Sequence, residues 1–514
     1  MEAFLANLAN FNDIINTFIW VKIGLVLLLG TGLLTTIVTG CFQITHIGHW
    51  CQQTFLQLLS KNSHDKSDKN AVTQFQALCT ALAATVGTGN IAGVAAAIAL
   101  GGPGAVFWMW VAAFLGMMTN YSENVLGIYY RRRNGEKEWS GGPMYYLNEG
   151  LGGYKGCKYV GKVLSIFFAL FTILASFGIG NMGQVNKIVK NVETVFFANV
   201  NAPVLWGEGN SQVTLVAVIL GLVLVVIGFM VIIGGLHRVA TVAERVVPFM
   251  ALLYIVGSLI ICVCHISALP AAISAIFKFA FGIKAVAGGA AGTAIATVIT
   301  QGCKRGVFSN EAGLGSSVMV HSNSNVKEPV KQGLWGIFEV FADTMVICTM
   351  TALVVLTSGK IDLQTGMMLP DTNDAVLVAQ SFSSVFGFAG GWFVAIAMFL
   401  FAFTTVLGWS HYGSKAVEFL FGLKAVKFYR VFFCLLIISG AILTSSLAWD
   451  ISDTFNGLML IPNLIGVIVL VPLVRRITKN YIARRIKGEK IAPVLSYDPE
   501  IEKEHAEAVD KGAF

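Results

Sequence analysis

The sequence predicts an all-α integral membrane protein with about eleven transmembrane helices, two of them broken. Three observations support this fold class. Of the 514 residues, 55% are hydrophobic and 12% are charged, and the mean hydropathy is +0.72, whereas a soluble domain carries roughly 25% charged residues. Apolar runs long enough to cross roughly 30 Å of hydrocarbon recur along the chain. Two of these runs contain glycine and polar residues that a helix facing lipid does not need.

The predicted spans follow one another along the chain. Each is an apolar run of roughly 20 residues or more, near 19–43, 72–101, 103–130, 160–186, 213–236, 239–265, 285–303, 332–357, 387–413, 428–449 and 454–474. Two further segments, 46–60 and 268–284, are predicted to lie in the membrane interface.

Lysine and arginine clusters predict the orientation in a cell membrane. They fall in every second connection, as at Arg131, Arg132 and Arg133, so the positive-inside rule places these connections in the cytoplasm. The N-terminus is then outside and the C-terminus is cytoplasmic, with a tail that is expected to be solvated and partly disordered. Because the basic residues mark topology, the net charge of +7 does not predict a nucleic-acid partner.

The second span contains the most informative run, Ala-Ala-Thr-Val-Gly-Thr-Gly-Asn at 83–90. Glycine lets a helix unwind, and unwinding at membrane depth is tolerated where the freed backbone groups line a cavity. Carbonyls that end the first half can then hold a cation, and amides near Thr88 to Ile91 can hold a carboxylate. The alternative is that the glycines and threonines serve close helix packing.

A second irregularity is predicted in the seventh span at Thr300, Gln301 and Gly302. Two broken helices at equivalent positions predict an inverted repeat, with substrate bound where the breaks meet. The chain then divides into an extra N-terminal helix (1–45), a cytoplasmic loop (46–71), a first five-helix repeat (72–265), a second five-helix repeat with an external interfacial helix (268–474) and a cytoplasmic tail (475–514).

The ninth span carries Thr404 and Thr405 in an apolar background. Adjacent threonine hydroxyls and backbone carbonyls form an uncharged oxygen cage that suits a monovalent cation such as sodium. Threonines in membrane helices also bond to their own backbone, which is the alternative. The centres of spans two, four, seven and nine hold no ionisable residue, which favours sodium over protons.

Three carboxylates fall inside other apolar spans. Glu123 is expected to pair with the cytoplasmic arginine cluster near Arg131, whereas the roles of Glu339 and Asp343 are left open. They are the groups that a proton-coupled carrier would titrate.

The chain closely resembles the alanine or glycine:cation symporter family. The resemblance covers roughly residues 15 to 490 and is carried by the runs 87–90 (Gly-Thr-Gly-Asn), 140–146 (Ser-Gly-Gly-Pro-Met-Tyr-Tyr) and 302–313 (Gly-Cys-Lys-Arg-Gly-Val-Phe-Ser-Asn-Glu-Ala-Gly). It implies a sodium:amino acid symporter with one leading helix before a 5+5 inverted repeat of the leucine-transporter type.

The resemblance also implies site residues. The substrate would be held by Thr88, Gly89, Asn90, Phe177, Gln184, Gln301, Gly302 and Trp409, and sodium by the carbonyls of Ala83 and Val86 with the hydroxyls of Thr404 and Thr405. The turn 309–315 would place Glu311 near Arg305 as part of an inner gate, with a helix cap as the alternative.

The sequence thus predicts import of a small neutral amino acid, alanine or glycine, by alternating access with Na⁺ as the co-transported ion. The alternatives are a proton-coupled neutral amino acid carrier and a sodium:glutamine symporter. The chain lacks the P-loop, HExxH and nucleophile patterns, so no enzyme is predicted. The predicted partners are the amino acid and membrane lipid. The oligomeric state is left open, with a monomer as one option.

Overall fold

The computed structural model describes the chain except residues 1, 59, 61–63, 65–67, 69, 199, 201, 208–211, 282–290, 370–375, 444–445 and 511–514. The described part is helical nearly throughout, as predicted. Its strands form two short antiparallel hairpins, β1 (Arg132–Arg133) with β2 (Trp139–Ser140) and β3 (Val204–Trp206) with β4 (Val213–Thr214).

The helices that build the fold follow the predicted order. They are α1 (Asn7–Val38), α2 (Ile47–Gln53), α3 (Gln74–Thr85), α4 (Gly89–Gly101), α5 (Gly104–Tyr129), α6 (Lys158–Phe196), α7 (Leu215–Ile232), α8 (Gly235–Cys264), α9 (Ile266–Ala280), α10 (Ala291–Asn310), α11 (Val318–His321), α12 (Pro329–Thr357), α13 (Leu377–Phe386), α14 (Phe388–Phe421), α15 (Leu423–Ala441), α16 (Asp450–Ile486) and α17 (Pro499–Asp510).

Seven helices of the described part are long and apolar enough to cross a membrane, and the bent pair α3 and α4 makes up to 8. The predicted spans 103–130, 285–303 and 428–449 correspond to α5, α10 and α15, whose polar and charged residues make them less apolar. Residues 285–290 and 444–445 of these predicted spans lie outside the described part, as do 282–284 of the predicted interfacial segment.

The outer surface of the bundle is apolar. On α7, for example, Ile219, Leu222, Val226 and Met230 are all more than half exposed. A continuous surface of this kind belongs against lipid rather than water. The protein is therefore a multi-pass membrane protein.

The second span is broken where the sequence predicts. Helix α3 begins at a capping box, in which Thr73 Oγ1 accepts from the Gln76 amide (3.1 Å) and Gln76 Oε1 accepts from the Thr73 amide (3.2 Å). It ends at Thr85, the chain passes through Val86 and Gly87, and α4 leaves at 53° to α3. The first predicted break is confirmed.

The seventh span is not broken at Thr300, Gln301 and Gly302, and this prediction is wrong. Helix α10 runs unbroken from Ala291 to Asn310. A Cβ at Gly302 would lie 2.3 Å from the carbonyl oxygen of Ala105, so this glycine lets α10 approach α5 closely. The small residues here serve helix packing rather than unwinding.

The interruption comes later, after Asn310. Glu311 has a φ of 55°, and Gly313 and Gly315 have φ values of 92° and 72°, which is left-handed backbone that glycine adopts without steric cost. The helix resumes briefly at α11. The second break therefore spans 311–317, about three turns beyond the predicted position.

The tail is solvated only in part: residues 485–492 are exposed, as expected, but residues beyond them pack on the bundle. Beyond α16 the chain runs back across the base of α5 and ends in α17, and Leu495 and His505 are fully buried. Tyr497 donates its backbone N–H to the carbonyl of Tyr129 at the end of α5 (2.9 Å). The prediction of partial disorder is wrong for residues 487–510. The docking was not foreseen because the residues that this segment contacts lie far away in the sequence.

Candidate functional site at the two broken helices

A small cavity lies where the two breaks meet. Its walls come from both breaks and from α6, α14 and α16. The lining residues are Ala84, Thr85, Gly87, Thr88, Gly89, Ile179, Gln184, Phe308, Glu311, Thr405, Trp409 and Asn456. The cavity thus has several polar groups in its lining, at the point where the helical hydrogen bonds are interrupted.

The first break forms one wall. Asn90 Oδ1 accepts the backbone N–H of Gly87 (2.9 Å), which stabilises the unwound chain from within. Thr88 and Gly89 open the second half-helix and face the cavity. The first amides of a helix have no partner within it and carry the positive end of the helix dipole. This wall therefore suits a carboxylate.

The second break places a buried acid in the opposite wall. Trp409 Nε1 donates to Glu311 Oε1 (2.9 Å), and Ser316 Oγ donates to Glu311 Oε2. The Trp409 ring is packed so closely on Gly180 of α6 that a Cβ there would lie 2.5 Å from it. Both oxygens of Glu311 thus accept hydrogen bonds, and the closely packed Trp409 indole fixes the position of the carboxyl group.

Two amide side chains complete the polar lining. Gln184 Nε2 donates to the carbonyl of Ile179 (3.1 Å), but within the described part Gln184 Oε1 has no hydrogen-bond partner. The same holds for Asn456 Oδ1 on α16. Buried polar atoms are nearly always satisfied, so such atoms around one cavity indicate a bound polar ligand.

The structure brings together five of the residues named from the sequence: Thr88, Gly89, Gln184, Thr405 and Trp409. Asn90 lies one layer behind the wall. Gln301 and Gly302 lie beside α4 and α5 instead, about three turns before the second break. They were placed in the site on the assumption of a break that α10 does not contain.

Phe177 also lies away from the cavity. Its ring packs against Tyr429, Phe432 and Phe433 of α15 at centroid distances of 5.4, 5.3 and 6.3 Å. Ile179 lines the cavity in its place. Two residues along a helix turn a side chain to roughly the opposite side, so Phe177 and Ile179 face opposite ways.

The predicted sodium ligands divide between two faces. Thr405 Oγ1 donates to the carbonyl of Phe401 (3.0 Å) and faces the first break, where a Cβ on Gly87 would lie 2.5 Å from it. Thr404 Oγ1 donates to the carbonyls of Leu400 and Phe401 (both 2.9 Å) and lies 3.5 Å from the sulfur of Met250 on α8.

The backbone of Ala83 and Val86 ends α3 at this point. The side chain of Val86 faces away from the cavity, into an apolar crevice that α8 and α12 also line. Thr405 of α14 thus lies directly against the end of α3.

Asp343 of α12 connects the two breaks behind the cavity. Asn90 Nδ2 donates to Asp343 Oδ1 (2.6 Å), and Ser309 Oγ, just before the second break, donates to Asp343 Oδ2 (2.8 Å). Thr344 Oγ1 also donates to Asp343 Oδ2 (2.7 Å). A single, fully buried carboxylate therefore hydrogen-bonds to residues of both interrupted helices.

Glu123 does not pair with the arginine cluster, so that prediction is wrong. It accepts hydrogen bonds from Asn463 Nδ2 and from the backbone N–H of Gly313 (3.4 Å), because its helical face points inward to the second break.

Glu339 pairs with His321 just after the second break. The Glu339 Oε2 to His321 Nε2 distance is 3.0 Å, and neither side chain is exposed to solvent. Each of the three intramembrane carboxylates thus contacts the second break or the residues beside it.

Sequence reasoning missed Glu311 as a lining residue, along with Thr85, Ile179, Phe308 and Asn456. The expected Glu311–Arg305 pair is absent among the described ion pairs, because Glu311 turns toward Trp409. The left-handed backbone at Glu311 was the missing information, although the Asn-Glu-Ala-Gly-Leu-Gly run was a usable signal for a turn.

Comparisons with known proteins agree with this architecture. Residues 5–495 match the model of the sodium:alanine symporter family. The sodium/alanine symporter AgcS of Methanococcus maripaludis is 42% identical over 467 residues, which are 91% of this chain and 96% of that protein. The probable sodium/glutamine symporter GlnT of Bacillus subtilis is 35% identical over 477 residues, covering 93% of this chain and 91% of that one.

Among solved structures, MhsT in complex with L-phenylalanine superimposes with a TM-score of 0.51 at 12% sequence identity, covering 80% of this chain and 98% of that chain. This likeness concerns the fold, which is of the leucine-transporter type. The chain belongs to the sodium:alanine symporter family and is a sodium-coupled amino acid transporter rather than an enzyme.

Proposed function

We propose that the protein imports a small neutral amino acid, alanine or glycine, together with sodium by alternating access. The observation that carries this proposal is the cavity between the two breaks, which is lined by groups of opposite electrostatic character. Thr88 and Gly89, at the positive start of α4, and the Glu311 carboxyl group both line it. This arrangement matches the carboxylate and ammonium groups that every amino acid carries at its α-carbon.

The substrate carboxylate lies against the start of α4, where backbone amides and the helix dipole stabilise negative charge. Its ammonium group donates to Glu311, which Trp409 and Ser316 already orient. A charge-assisted hydrogen bond of this kind is roughly twice as strong as a neutral one. The free amide oxygens of Gln184 and Asn456 accept the remaining ammonium protons.

The side-chain end of the cavity limits substrate size. Ile179, Phe308 and Trp409 contribute bulky apolar surface, and the cavity is small. Each methylene by which a substrate exceeds the available space weakens its binding relative to a smaller substrate by roughly 1–3 kcal/mol. Alanine, glycine and serine are therefore favoured over larger side chains.

A sodium ion binds between α14 and the end of α3, with Thr405 Oγ1 and the carbonyls of Ala83 and Val86 as ligands. Thr404 joins them if its hydroxyl rotates away from the carbonyls of Leu400 and Phe401. By holding α3 against α14, the ion fixes the amide wall before the substrate arrives. One charge crossing about 100 mV contributes roughly 2.3 kcal/mol, which drives accumulation.

Alternating access follows from the two breaks. The unit 72–265 contains one and the unit 268–474 contains the other, and rocking of one unit against the other exposes the cavity to each side in turn. The positive-inside rule orients the tail to the cytoplasm. The inward sodium gradient sets the direction of transport, so sodium enters with the substrate. Lipid covers the outer surface, and a monomer encloses the whole site.

Uptake by proteoliposomes tests this proposal. Labelled alanine is supplied under an inward sodium gradient, and the controls are a potassium gradient and a proton gradient. We expect accumulation with sodium alone, and its loss in Thr405→Ala, with Thr357→Ala on α12 as a matched threonine control. Uptake that ignores sodium would contradict the proposal and favour a proton-coupled carrier that titrates Asp343 or Glu339.

Glutamine is the second candidate substrate. GlnT is a relative at 35% identity, and the amides of Gln184 and Asn456 can pair with a substrate amide. Competition of unlabelled glutamine against labelled alanine separates the two. Stronger competition by glutamine than by alanine would make this a sodium:glutamine symporter.

A further inference from the structure

The tail helix α17 packs on a cationic cluster at the end of α5. Trp139 of β2 is the centre of this cluster, with the guanidinium of Arg131 3.9 Å and that of Arg133 4.2 Å from its ring centroid. His505 of α17 packs on the same indole at a centroid distance of 5.7 Å. His505 is fully buried there, so its imidazole is enclosed between the tail and two guanidinium groups.

Arg131 links this cluster to the loop that follows the second break. Its Nη1 donates to the carbonyls of Ser322 (3.2 Å) and Ser324 (2.6 Å), and its Nη2 donates to the carbonyl of Val326. The Arg131 side chain is buried, and this fixes the path of residues 322–326. The conformation of that loop therefore depends on the cluster that α17 covers.

The same loop holds the base of the first broken helix. Val72 donates its backbone N–H to the Asn323 carbonyl (3.0 Å), and Asn325 donates to the Val72 carbonyl (2.9 Å). Val72 directly precedes the cap of α3. A second connection runs from the end of α16, where Arg484 and Arg485 pair with the buried Glu328 at the start of α12.

We propose that α17 is a latch on the face where α3 begins, and that protonation of His505 releases it. In the latched state the tail covers Arg131, Arg131 fixes the loop 322–326, and this loop holds the start of α3. Opening of the cavity toward this face requires α3 to leave the loop. The latch therefore opposes opening of the cavity toward this face, and acidification on the tail side favours that opening.

The charges around His505 give the sign of the effect. The cationic groups that face it are Arg131 at the end of α5, Arg133 of β1 and Lys327 of the loop. The nearby anions already have partners, since Glu504 of α17 pairs with Arg133 at 3.1 Å and Asp68 interacts with Arg131 and Lys327. Among the described residues, the charged groups that act on His505 are all cationic, so a positive charge on its imidazole is repelled.

Burial, with Arg131, Lys327 and Arg133, lowers the pKa of docked His505 from 6.5 to about 2. A histidine in a released, solvated tail keeps a pKa of roughly 6.5. Because the docked pKa is the lower one, docking is fully favourable above about pH 6.5 and weakens about tenfold for each unit below it. The latch thus responds within the range that a cell interior reaches under acid load.

Hydrogen–deuterium exchange on the full-length protein in nanodiscs tests the latch directly. Between pH 7.5 and 5.5 we expect amide protection of residues 499–510 to fall about tenfold more in the wild type than in His505→Gln, which cannot be protonated. His505→Arg should be unprotected at both pH values. Equal protection of the wild type and His505→Gln at pH 5.5 would overturn the proposal, as would a protected His505→Arg.

His237→Gln serves as the matched control, since His237 is exposed on α8, away from the tail. Sodium-dependent uptake at pH 7.5 by His505→Gln shows that the variant folds. The effect of the latch on opening of the cavity rests on the proposed transport cycle, whereas the pH dependence of α17 docking does not. Acid release without any sodium-dependent uptake would therefore leave the latch standing and contradict the proposed function alone.

Discussion

The two breaks differ in how their sequences encode them. The first break occurs at Gly87, where two glycines, two threonines and an asparagine interrupt an apolar span, and the structure places it there. The second run of small and polar residues, around Gly302, stays helical, and the chain leaves the helix only at Glu311. Glycine alone therefore does not predict unwinding.

Gly87 and Gly302 differ in the group that contacts the backbone at each position. At Gly87 the asparagine side chain of Asn90 supplies a hydrogen-bond acceptor that the helix would otherwise provide. Asn310 does the same at the second break, where its Oδ1 accepts the backbone N–H of Ala312 (3.0 Å). Gly302 instead meets the backbone of α5, so the helix is retained and the neighbouring helix comes closer. An asparagine beside a glycine-rich turn is thus the more reliable sign of a break.

The largest expected effect is at the acid of the second break. Glu311→Gln keeps the shape of the side chain but removes the charge that meets the substrate ammonium, and loss of a buried charged partner costs roughly 2–5 kcal/mol. We expect the kcat/KM of sodium-dependent alanine uptake to fall about 100-fold or more. Glu149→Gln, a glutamate far from the cavity, is the control. Normal uptake by Glu311→Gln would show that only the first break binds substrate.

The two glycines themselves give a matched pair of substitutions. In Gly302→Ala the new Cβ meets the backbone of Ala105, which cannot move easily, so stability falls by roughly 1–3 kcal/mol and the thermal unfolding midpoint in detergent drops. In Gly87→Ala the Cβ meets the hydroxyl of Thr405, and we expect the KM for sodium to rise about tenfold with a smaller loss of stability. A large stability loss with unchanged sodium KM in Gly87→Ala would remove the functional distinction between them.

Asp343 tests whether the breaks act together. Asp343→Asn keeps the hydrogen bond with Ser309 but turns two amides, those of Asn90 and the new asparagine, toward each other. Breaking one such buried charged hydrogen bond costs roughly 1.5–3 kcal/mol, so we expect kcat to fall about tenfold, with Asp362→Asn on an exposed loop as the control. If sodium and alanine still enhance each other's binding in Asp343→Asn as in the wild type, Asp343 does not couple the breaks.

The smallest effect is expected where the sequence placed the second break. Gln301 lies beside α4, outside the cavity, so Gln301→Ala should change the KM for alanine by no more than about twofold. The measurement is the same uptake assay. A tenfold or larger increase would restore the sequence-based position of the substrate.

Much of the fold was predictable because apolar runs and basic clusters are local signals. The first break was also found, since its residue types are unusual within a span, and Gln184 and Trp409, which line the cavity, were implied by the family resemblance. Glu311 and Asn456 were not. Their roles depend on left-handed backbone at one residue and on the approach of distant helices, and neither leaves a periodic pattern in the chain. The docked tail was missed for the same reason, because polar composition describes the unfolded segment and not the Trp139 surface that receives it.

A binding cycle tests most directly whether the substrate spans the two breaks. Sodium-dependent binding of alanine and of propionate, which lacks the ammonium group, is measured for the wild type and Glu311→Gln. We predict that the wild type binds alanine much more tightly than propionate. In Glu311→Gln this ratio of affinities should fall by at least about tenfold, because the ammonium–Glu311 interaction is already lost through the protein and cannot be lost again through the ligand. An unchanged ratio in Glu311→Gln would contradict the account, since the ammonium would then bind elsewhere.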